Sequence, residues 1–420
     1  MSSEIKKQII IAQSQLVDYA GSEITTLELS EYFTEEGWDV FIVTNIISDP
    51  IKKEFDKLSS ATILIIDDTS FSKAIKGLDP YLVWIHHQVL PTELVELIQK
   101  SSPRVVFHHM SSFALAEMPF QTELERQFAD VVSFNSILSR EKLLRSGWFD
   151  GFAEEMLISI NNPAPDMFYK DRLTYDESKK RELNKILIVS NHIPEELGEA
   201  LDLVANTGIE VERFGTKGDS YKRILPSDIT GADLVVTIGK TVQYSICANV
   251  PVYCYDHFGG PGYLDNKNYE TVMRHNFSGK GGFGKKTSKG IKREIIEDYV
   301  AATESMEHIH SQHAEEFLLS KKVAEVLRRC EKSGRGDELQ LKKPQVLAAD
   351  AVTRLMGERI KNYHSVLAAK KAQHHKIGEL RSERNKLRIE LDRLRKVQPD
   401  NHQRAVGGFG RTLRRMRNKD

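Results

Sequence analysis

Two sets of short apolar runs, each alternating with amphipathic stretches, constrain the fold of this chain more than any other feature. The first set is typical of buried strands and lies at residues 8–12, 40–44, 62–66, 82–85, 104–107 and 131–134. The second set follows a polar linker and lies at residues 186–190, 209–214, 234–238 and 251–255. Strands that alternate with helices form parallel sheets, because parallel neighbours need a crossover connection. The pattern therefore predicts an α/β fold of two Rossmann-like, doubly wound parallel-sheet domains with a cleft between them.

Shifts in composition divide the chain into four predicted parts: an N-terminal acceptor domain (1–175), a second, donor-binding domain (182–335), a helical extension (344–398) and a basic tail (399–420). Apolar residues recur at heptad spacing in the extension: Ile377 and Leu391 at one position, and Leu380, Leu387 and Leu394 at the other. This spacing predicts a short coiled coil and a homodimer. A single amphipathic helix packed on the body of the protein is the alternative.

The charge of the chain is balanced overall but uneven along its length. Lys and Arg number 59 and Asp and Glu 60, so the formal net charge of −1 argues against a polyanion-binding protein. Sequence motifs of nucleic-acid-binding modules are also absent, and we expect no nucleic-acid partner. In the tail, basic residues surround a few apolar ones, which favours an anionic membrane surface. A tail that binds nothing is the alternative.

The three cysteines, Cys247, Cys254 and Cys330, have no metal-ligand spacing. The first two lie in apolar surroundings, which fits core thiols in a reducing cytoplasm. The opening stretch MSSEIKKQIIIAQ lacks the long apolar core of a signal peptide, and the histidines lack the spacing of a zinc site. We therefore expect a cytoplasmic protein, at the inner face of the membrane if the tail binds lipid, with neither a metal nor a cofactor.

Polar residues, many of them histidines, follow the predicted strands. Since parallel sheets bind ligands at the carboxyl ends of their strands, these residues predict a binding cleft. In the first half they are Gly21, His86, His87, His108, His109, Asn135, Ser136, Asn161 and Asn162. In the second half they are Asn191, His192, Gly215, Thr216, Gly239, Lys240, Thr241, Asp256 and His257.

The segment Gly239-Lys240-Thr241 leaves one strand and begins a predicted helix. Free backbone amides at a helix start, with a lysine beside them, suit a phosphate or diphosphate. The pattern GxxxxGK[ST] is absent, which argues against a P-loop NTPase. Further along, the stretch YDHFGGPGY places Gly259 and Gly260 just after a strand. We expect these glycines to let a backbone loop approach a nucleotide lying across the strand ends.

Residues 8 to about 330 resemble the GT-B glycosyltransferases, and in particular a divergent bacterial subgroup of the retaining glycosyltransferase family four. Five stretches carry the resemblance, in the family's order: YAGSEITTLELSEYFTEEGWDVFIVTN, PRVVFHHMSSF, ADVVSFNSILSREKL, ISINNPAPDMFY and IGKTVQYSICANVPVY. In the second stretch, His109 stands where the family has its active-site histidine.

The resemblance implies a retaining, metal-independent transfer of sugar from a nucleotide-sugar donor to a glycan or lipid-linked acceptor, in cell-envelope glycan synthesis. It implies His109 as a catalytic residue. The strand-end positions add His86 as a second catalytic candidate and place Gly21, His108 and Asn135 on the acceptor side; the alternative is that His86 or His108 faces the core. The expected donor-binding residues, from the strand ends, the donor-binding helix and the basic segment MRHNFSGKGGFGKK, are Asn191, His192, Gly239, Lys240, Thr241, Tyr244, Asp256, His257, Gly259, Gly260 and Arg274. The nucleotide sugar is a substrate, so no separate cofactor is expected.

The chain departs from the family at the donor site. The family's two donor-site glutamates are matched here by Val236 and Tyr244, and its glycine-arginine pair by Ser190-Asn191-His192. A tyrosine stacks on a base or sugar but cannot bind two ribose hydroxyls as a carboxylate does; Asp256 is the candidate for that part. Two alternatives therefore stay open: a noncatalytic GT-B subunit that binds a partner enzyme or glycan, and a sugar-nucleotide epimerase of the same fold.

Overall fold

The computed structural model describes residues 6–112, 117–170, 182–216, 218–334 and 343–397. The predicted basic tail, residues 399–420, lies outside these ranges. The chain divides into two compact units, one reaching Glu358 and one beginning at Arg359. The first unit contains both predicted α/β domains.

The first domain is built on a seven-stranded sheet in the order β3-β2-β1-β4-β5-β6-β7. Its strands are β1 Gln8–Ala12, β2 Asp39–Thr44, β3 Ala61–Ile65, β4 Leu82–His86, β5 Arg104–His109, β6 Val131–Phe134 and β7 Leu157–Ser159. All neighbouring strands are parallel. Six of the seven match the apolar runs of the sequence, while β7 has only three residues and too short a pattern to detect.

Helices cover both faces of this sheet, which explains why its central strands are continuously apolar. They are α1 Gly21–Glu35, α2 Lys52–Phe55, α3 Phe71–Lys76, α4 Thr92–Ser101, α5 Thr122–Phe128 and α6 Ile137–Arg145, with the short α7 Met167–Lys170 before the second domain. One core contains Ile24 and Leu27 of α1, and the other contains Leu94 and Ile98 of α4.

The second domain has a five-stranded sheet in the order β12-β11-β10-β8-β9. Its strands are β8 Lys185–Val189, β9 Glu210–Phe214, β10 Leu234–Thr237, β11 Val252–Asp256 and β12 Gly259–Tyr263. Its helices are α8 Glu195–Ala205, α9 Pro226–Thr230, α10 Lys240–Ala248, α11 Tyr269–Arg274, α12 Ser288–Glu297 and α13 Tyr299–His313. Strand β12 runs antiparallel to β11, so the sheet is mixed rather than purely parallel as predicted.

After the second domain the chain returns to the first. Helix α14, Leu319–Lys332, buries Leu319, Val323 and Val326 in the same core as Ile9 and Ile11 of β1. The predicted second domain ran to residue 335, but these apolar side chains belong to the core of the first sheet. The chain therefore passes between the two domains twice, once before β8 and once before α14.

Helix α15 spans Lys343–Val397, and its first part packs against the first domain. The backbone amide of Leu90 donates to Thr353 Oγ1 at 2.9 Å, and Arg354 lies 3.2 Å from Glu93 and 3.0 Å from Asp350. Ala349 is buried in the core. A shortened chain that keeps the first unit complete therefore ends at Glu358, not at the predicted boundary near residue 344.

In the second unit, which begins at Arg359, the structure describes the rest of this helix up to Val397. Four of the residues at heptad spacing are exposed: Ile377 by 39%, Leu380 by 52%, Leu387 by 60% and Leu391 by 50%. The extension is helical as predicted. Its pairing with a second copy stays a prediction.

The glycines of YDHFGGPGY permit close backbone packing inside the second domain. Gly259 has a φ of +99°, and a Cβ on it would collide with the carbonyl oxygen of Gly284; a Cβ on Gly260 would collide with that of Cys254. Gly260 N–H donates to the Gly284 carbonyl at 3.2 Å. The close approach that these glycines allow is thus made by the protein's own backbone.

Gly259→Ala should therefore destabilise the protein much more than Gly282→Ala. Both residues have positive φ, +99° and +85°, but a Cβ on Gly282 would meet nothing within 4 Å. We expect Gly282→Ala to cost about 1 kcal/mol for the left-handed backbone alone, and Gly259→Ala about 3 kcal/mol. Thermal unfolding midpoints measure the difference, and equal shifts would show that the Gly259–Gly284 contact is unimportant.

Candidate functional site

A cavity of about 800 Å³ lies where the strand ends of the second sheet face the first domain. Strand order in the second sheet reverses between β8 and β10, and both of these strands end at the cavity. Ligands of open α/β sheets bind at such switch points. Most of the predicted donor-binding residues line this cavity: Asn191, His192, Gly239, Lys240, Thr241, Tyr244, Asp256 and His257. From the predicted acceptor side, Gly21 at the start of α1 also lines it.

The turn into α10 brings backbone amides to the cavity wall. Gly239 has φ +64° and ψ −137°, a conformation open mainly to glycine, and α10 begins at the next residue, Lys240. The first amides of a helix have no partner within the helix and carry partial positive charge. The helix start therefore lies at the cavity wall, although the amide of Gly239 itself donates to the Phe277 carbonyl at 2.9 Å, and anion binding at this turn stays a prediction.

Lys240 is held by the first domain. Its Nζ lies 2.7 Å from the carboxylate of Glu28 on α1 and donates to the Pro163 carbonyl at 2.5 Å. The Tyr244 hydroxyl donates to the other oxygen of Glu28, and the Tyr244 ring stacks on Phe168 with 4.1 Å between centroids. Glu28 thus joins two residues of α10 across the domain boundary.

A second ion pair lies one helical turn further along α1. Arg223 contacts Glu31 through both ends of its guanidinium, at 2.5 and 2.6 Å. Burial by itself would lower the pKa of Arg223, but the hydrogen bond and charge of Glu31 raise it above its ordinary value. We call Glu28, Glu31, Arg223, Lys240 and Tyr244 the interdomain ion-pair cluster. The sequence analysis missed its two glutamates, whose only local signal is their place on a largely buried helix.

Aromatic side chains border the cavity from both domains. Tyr19, in the loop before α1, lies 5.5 Å from Tyr221 of the second domain, centroid to centroid, with the rings tilted by 55°. Phe214, at the end of β9, lines the same cavity. Such rings offer stacking surfaces for a base or a sugar. The sequence analysis named none of the three, because loop tyrosines carry no periodic signal.

Some predicted donor-binding residues, including Asp256 at the cavity, make contacts within the second domain or at its surface. The Asp256 carboxylate accepts the amides of Phe258 at 2.7 Å and Gly279 at 3.0 Å, which ties β11 to the following loops. Gly259 and Gly260 do not line the cavity. Arg274 is half exposed and lies 2.7 Å from Glu141 of the first domain.

The predicted catalytic and acceptor-side histidines are buried and do not line the cavity. His109 Nε2 lies 2.9 Å from Glu125, with its ring stacked on Phe134. His86 Nδ1 lies 3.0 Å from Thr26 Oγ1, and its ring meets His108 edge-on at 5.3 Å. Burial, followed by the charge of His109, lowers the pKa of His108 to about 3.

The last predicted acceptor-side residue, Asn135, is also buried, and its side-chain amide donates to the Met110 carbonyl. Catalytic and acceptor-binding roles for these four residues stay predictions.

His87, which the sequence analysis only noted at a strand end, lies at the switch point of the first sheet, between β1 and β4. Its Nδ1 is 2.8 Å from Ser14 Oγ, and its Nε2 is 3.4 Å from Glu117. His87 and Gln88 both have positive φ, +52° and +57°, a strain that tends to persist at functional sites. Burial lowers the pKa of His87 to about 4 and raises that of Glu117 to about 7. Neutral imidazole is therefore the main form of His87 at neutral pH.

Within the residues that the structure describes, no group of three or more His, Cys, Asp or Glu side chains is arranged to hold a metal ion. No helix there is long and apolar enough to cross a membrane.

Comparison with known proteins gives a fold but no sequence family. No protein-family model matches the chain, and no curated protein sequence matches it. Among solved structures, Anabaena Alr3699/HepE in complex with UDP and glucose is similar with a TM-score of 0.51 at 11% identity, and the same protein in complex with UDP with 0.52 at 12%. Each match covers 78% of this chain and 100% of the other. The chain therefore has the GT-B fold of two Rossmann-like domains, followed by a C-terminal helix.

Replacing His109 distinguishes a structural role from a catalytic one. His109→Ala removes the ring that faces the buried carboxylate of Glu125, so we expect a loss of about 2 kcal/mol or more in stability. The exposed His308 is the control, and its replacement by alanine should leave the thermal midpoint unchanged. An unchanged midpoint for His109→Ala, together with lost turnover, would instead favour the predicted role in the reaction centre.

Proposed function

We propose that this protein is a glycosyltransferase that uses a nucleotide-sugar donor. One observation carries the proposal: in a GT-B fold, the cavity at the second-sheet switch point combines a helix start, Lys240 and aromatic walls. A nucleotide sugar needs an anion site for its diphosphate, a stacking surface for its base and room for its sugar. The cavity supplies all three.

In the proposed complex, the diphosphate lies at the start of α10, where Gly239, Lys240 and Thr241 meet the cavity. Asn191 and His192, just after β8, offer further hydrogen-bond donors. The base would stack on the aromatic side chains near the end of β9, and the sugar would face Gly21 of the first domain. Stabilising the leaving diphosphate is mainly electrostatic work, for which fixed amides and a lysine are suited.

We further infer that the protein belongs with the retaining, metal-independent enzymes of the family-four type and acts in cell-envelope glycan synthesis. The ordered family stretches in the sequence support this reading. The acceptor would be a glycan or lipid-linked sugar presented by the first domain, with His109 and His86 as the predicted catalytic residues. Since both are buried, they would need to act through neighbouring groups or after a movement of the domains.

A noncatalytic GT-B subunit is the second candidate, and one observation favours it. Val236 and Tyr244 stand where the family has carboxylates, and Tyr244 is hydrogen-bonded to Glu28 rather than directed freely into the cavity. Such a subunit would bind a nucleotide or glycan without turning it over. Product formation with a panel of nucleotide sugars separates the two candidates, and thermal shifts identify which donors bind.

Lys240→Ala tests the donor site. Loss of a charge-assisted contact should weaken UDP binding about 10- to 100-fold. Lys289→Ala removes the same charge from an exposed position on α12, away from the cavity, and should bind UDP like the natural chain. Isothermal calorimetry gives the affinities. Thermal unfolding is measured alongside, because the substitution also leaves Glu28 without its ammonium partner. Equal UDP affinity in both variants would remove Lys240 from the donor site.

We also propose that residues 359–420 place the enzyme at an anionic membrane as a homodimer, through the heptad leucines and the basic tail. Each basic residue close to such a surface contributes about 1 kcal/mol, weakened by salt. Two tails in one dimer would act jointly.

A chain that ends at Glu358 tests both parts of this proposal. It should be monomeric by light scattering, should no longer sediment with phosphatidylserine vesicles, and should keep its activity on a soluble acceptor. The full-length chain should sediment with those vesicles at low salt and not with neutral ones. Vesicle binding by the shortened chain would contradict the membrane role, and a monomeric full-length chain would contradict the dimer.

A further inference from the structure

Glu28 is an acidic side chain of the first domain placed against the donor-site helix of the second. It is 2% exposed, and its side chain contacts Lys240 and Tyr244, which both belong to α10. Both partners also line the cavity. A buried carboxylate is costly unless it is paired or protonated, so its state depends on where the Lys240 ammonium lies.

Few charged or titratable groups face Glu28. From α10 these are Lys240 and Tyr244, and from the segment before α9 it is Arg223. Arg223 is itself bound to Glu31, the next acidic residue along α1. Burial and the charge of Glu28 raise the pKa of Tyr244 well above its ordinary value, so its hydroxyl keeps its proton and donates it in a hydrogen bond. Lys240 is therefore the cation whose position controls the charge of Glu28.

We propose that Glu28 and the donor diphosphate compete for Lys240, so that nucleotide binding is coupled to the uptake of one proton by Glu28. This inference rests on the proposed function, because it takes Lys240 as a diphosphate ligand. The proton comes from the solvent and goes to a carboxylate oxygen of Glu28; no bond to the nucleotide is made or broken. Glu28 is in this sense a positioning residue, which acts on the ligand through Lys240.

The direction of the coupling follows from the environment of Glu28. Burial raises the pKa of this carboxyl, and the charge and hydrogen bond of Lys240 lower it. When the diphosphate takes the ammonium, that lowering is reduced, so the pKa of Glu28 is higher in the complex than in the free protein. A complex that holds more protons than its components binds more weakly as pH rises. The affinity for the nucleotide should fall by up to about tenfold per pH unit between the two pKa values of Glu28. Outside them, Glu28 should add nothing to the pH dependence of binding.

The coupling also gives a role to the tyrosine at the family's glutamate position. Tyr244 cannot bind two ribose hydroxyls, but its hydroxyl anchors Glu28, which is supplied by the other domain. A carboxylate therefore stands beside the donor-binding helix although the helix itself has none in its first turn.

Calorimetry with UDP on the full-length protein tests the proposal. Titrations in buffers of equal pH and different ionisation enthalpy give the number of protons taken up. We expect the natural chain to take up as much as one proton more per bound UDP than Glu28→Gln does. The difference belongs to Glu28, because glutamine does not titrate at this position. Glu28→Gln should also bind UDP about tenfold more tightly at high pH, since it no longer competes for the ammonium.

Glu35→Gln is the matched control, because it removes the same charge from an exposed position at the end of α1, and it should keep the proton uptake of the natural chain. Glu28→Asp keeps a carboxylate and should keep at least part of the proton uptake. With the titrations repeated over a range of pH, UDP binding with no proton uptake by the natural chain at any pH, or with equal uptake in Glu28→Gln, would overturn the inference and leave the proposed function intact. Failure of the natural chain to bind any nucleoside diphosphate would overturn both. If Glu28→Gln does not fold, Lys240→Ala takes its place, because without the ammonium UDP binding should no longer change the protonation of Glu28.

Discussion

The contact between one face of α1 and helix α10 is the interaction on which the candidate site depends. Glu28 and Glu31 are three residues apart, so they project from the same side of α1 and meet Lys240 and Arg223 of the other domain. Buried ion pairs add little net stability, but a mismatched pair is costly, so they fix relative position well. The interdomain ion-pair cluster therefore sets how the strand ends of the two sheets face each other across the cavity.

Apolar packing supports this arrangement from the other end of the chain. Helix α14 returns to the core of the first sheet after the second domain is complete, and the first part of α15 holds the segment around Leu90. That segment follows the strained residues His87 and Gln88 at the switch point of the first sheet. The first part of α15 thus braces the loop that carries His87.

The strand-end rule located the candidate site better in the second sheet than in the first, for a geometric reason. In the second sheet, Asn191, Gly239 and His257 lie beyond the last paired residue of their strands and reach the cavity. In the first sheet, His86 and His109 end their strands and are buried, with Thr26 beside His86 and Glu125 beside His109. Contacts with such distant residues decide between a cavity wall and a buried core, and apolar runs in a sequence do not show them.

The sequence by itself determined the features that depend on near neighbours in the chain: ten of the strands, the α/β class, the helix start at Gly239 and the helical extension. These have local causes, since a buried strand is a continuous apolar run and a helix start needs particular residues. Only the tertiary structure decided which distant residues meet. Tyr244 and Glu28 are separated by 216 positions and Arg223 and Glu31 by 192, and nothing in either segment specifies its partner. The glycines near residue 259 are a similar case: the sequence shows that a close approach is needed, but the folded chain determines that its own backbone makes it.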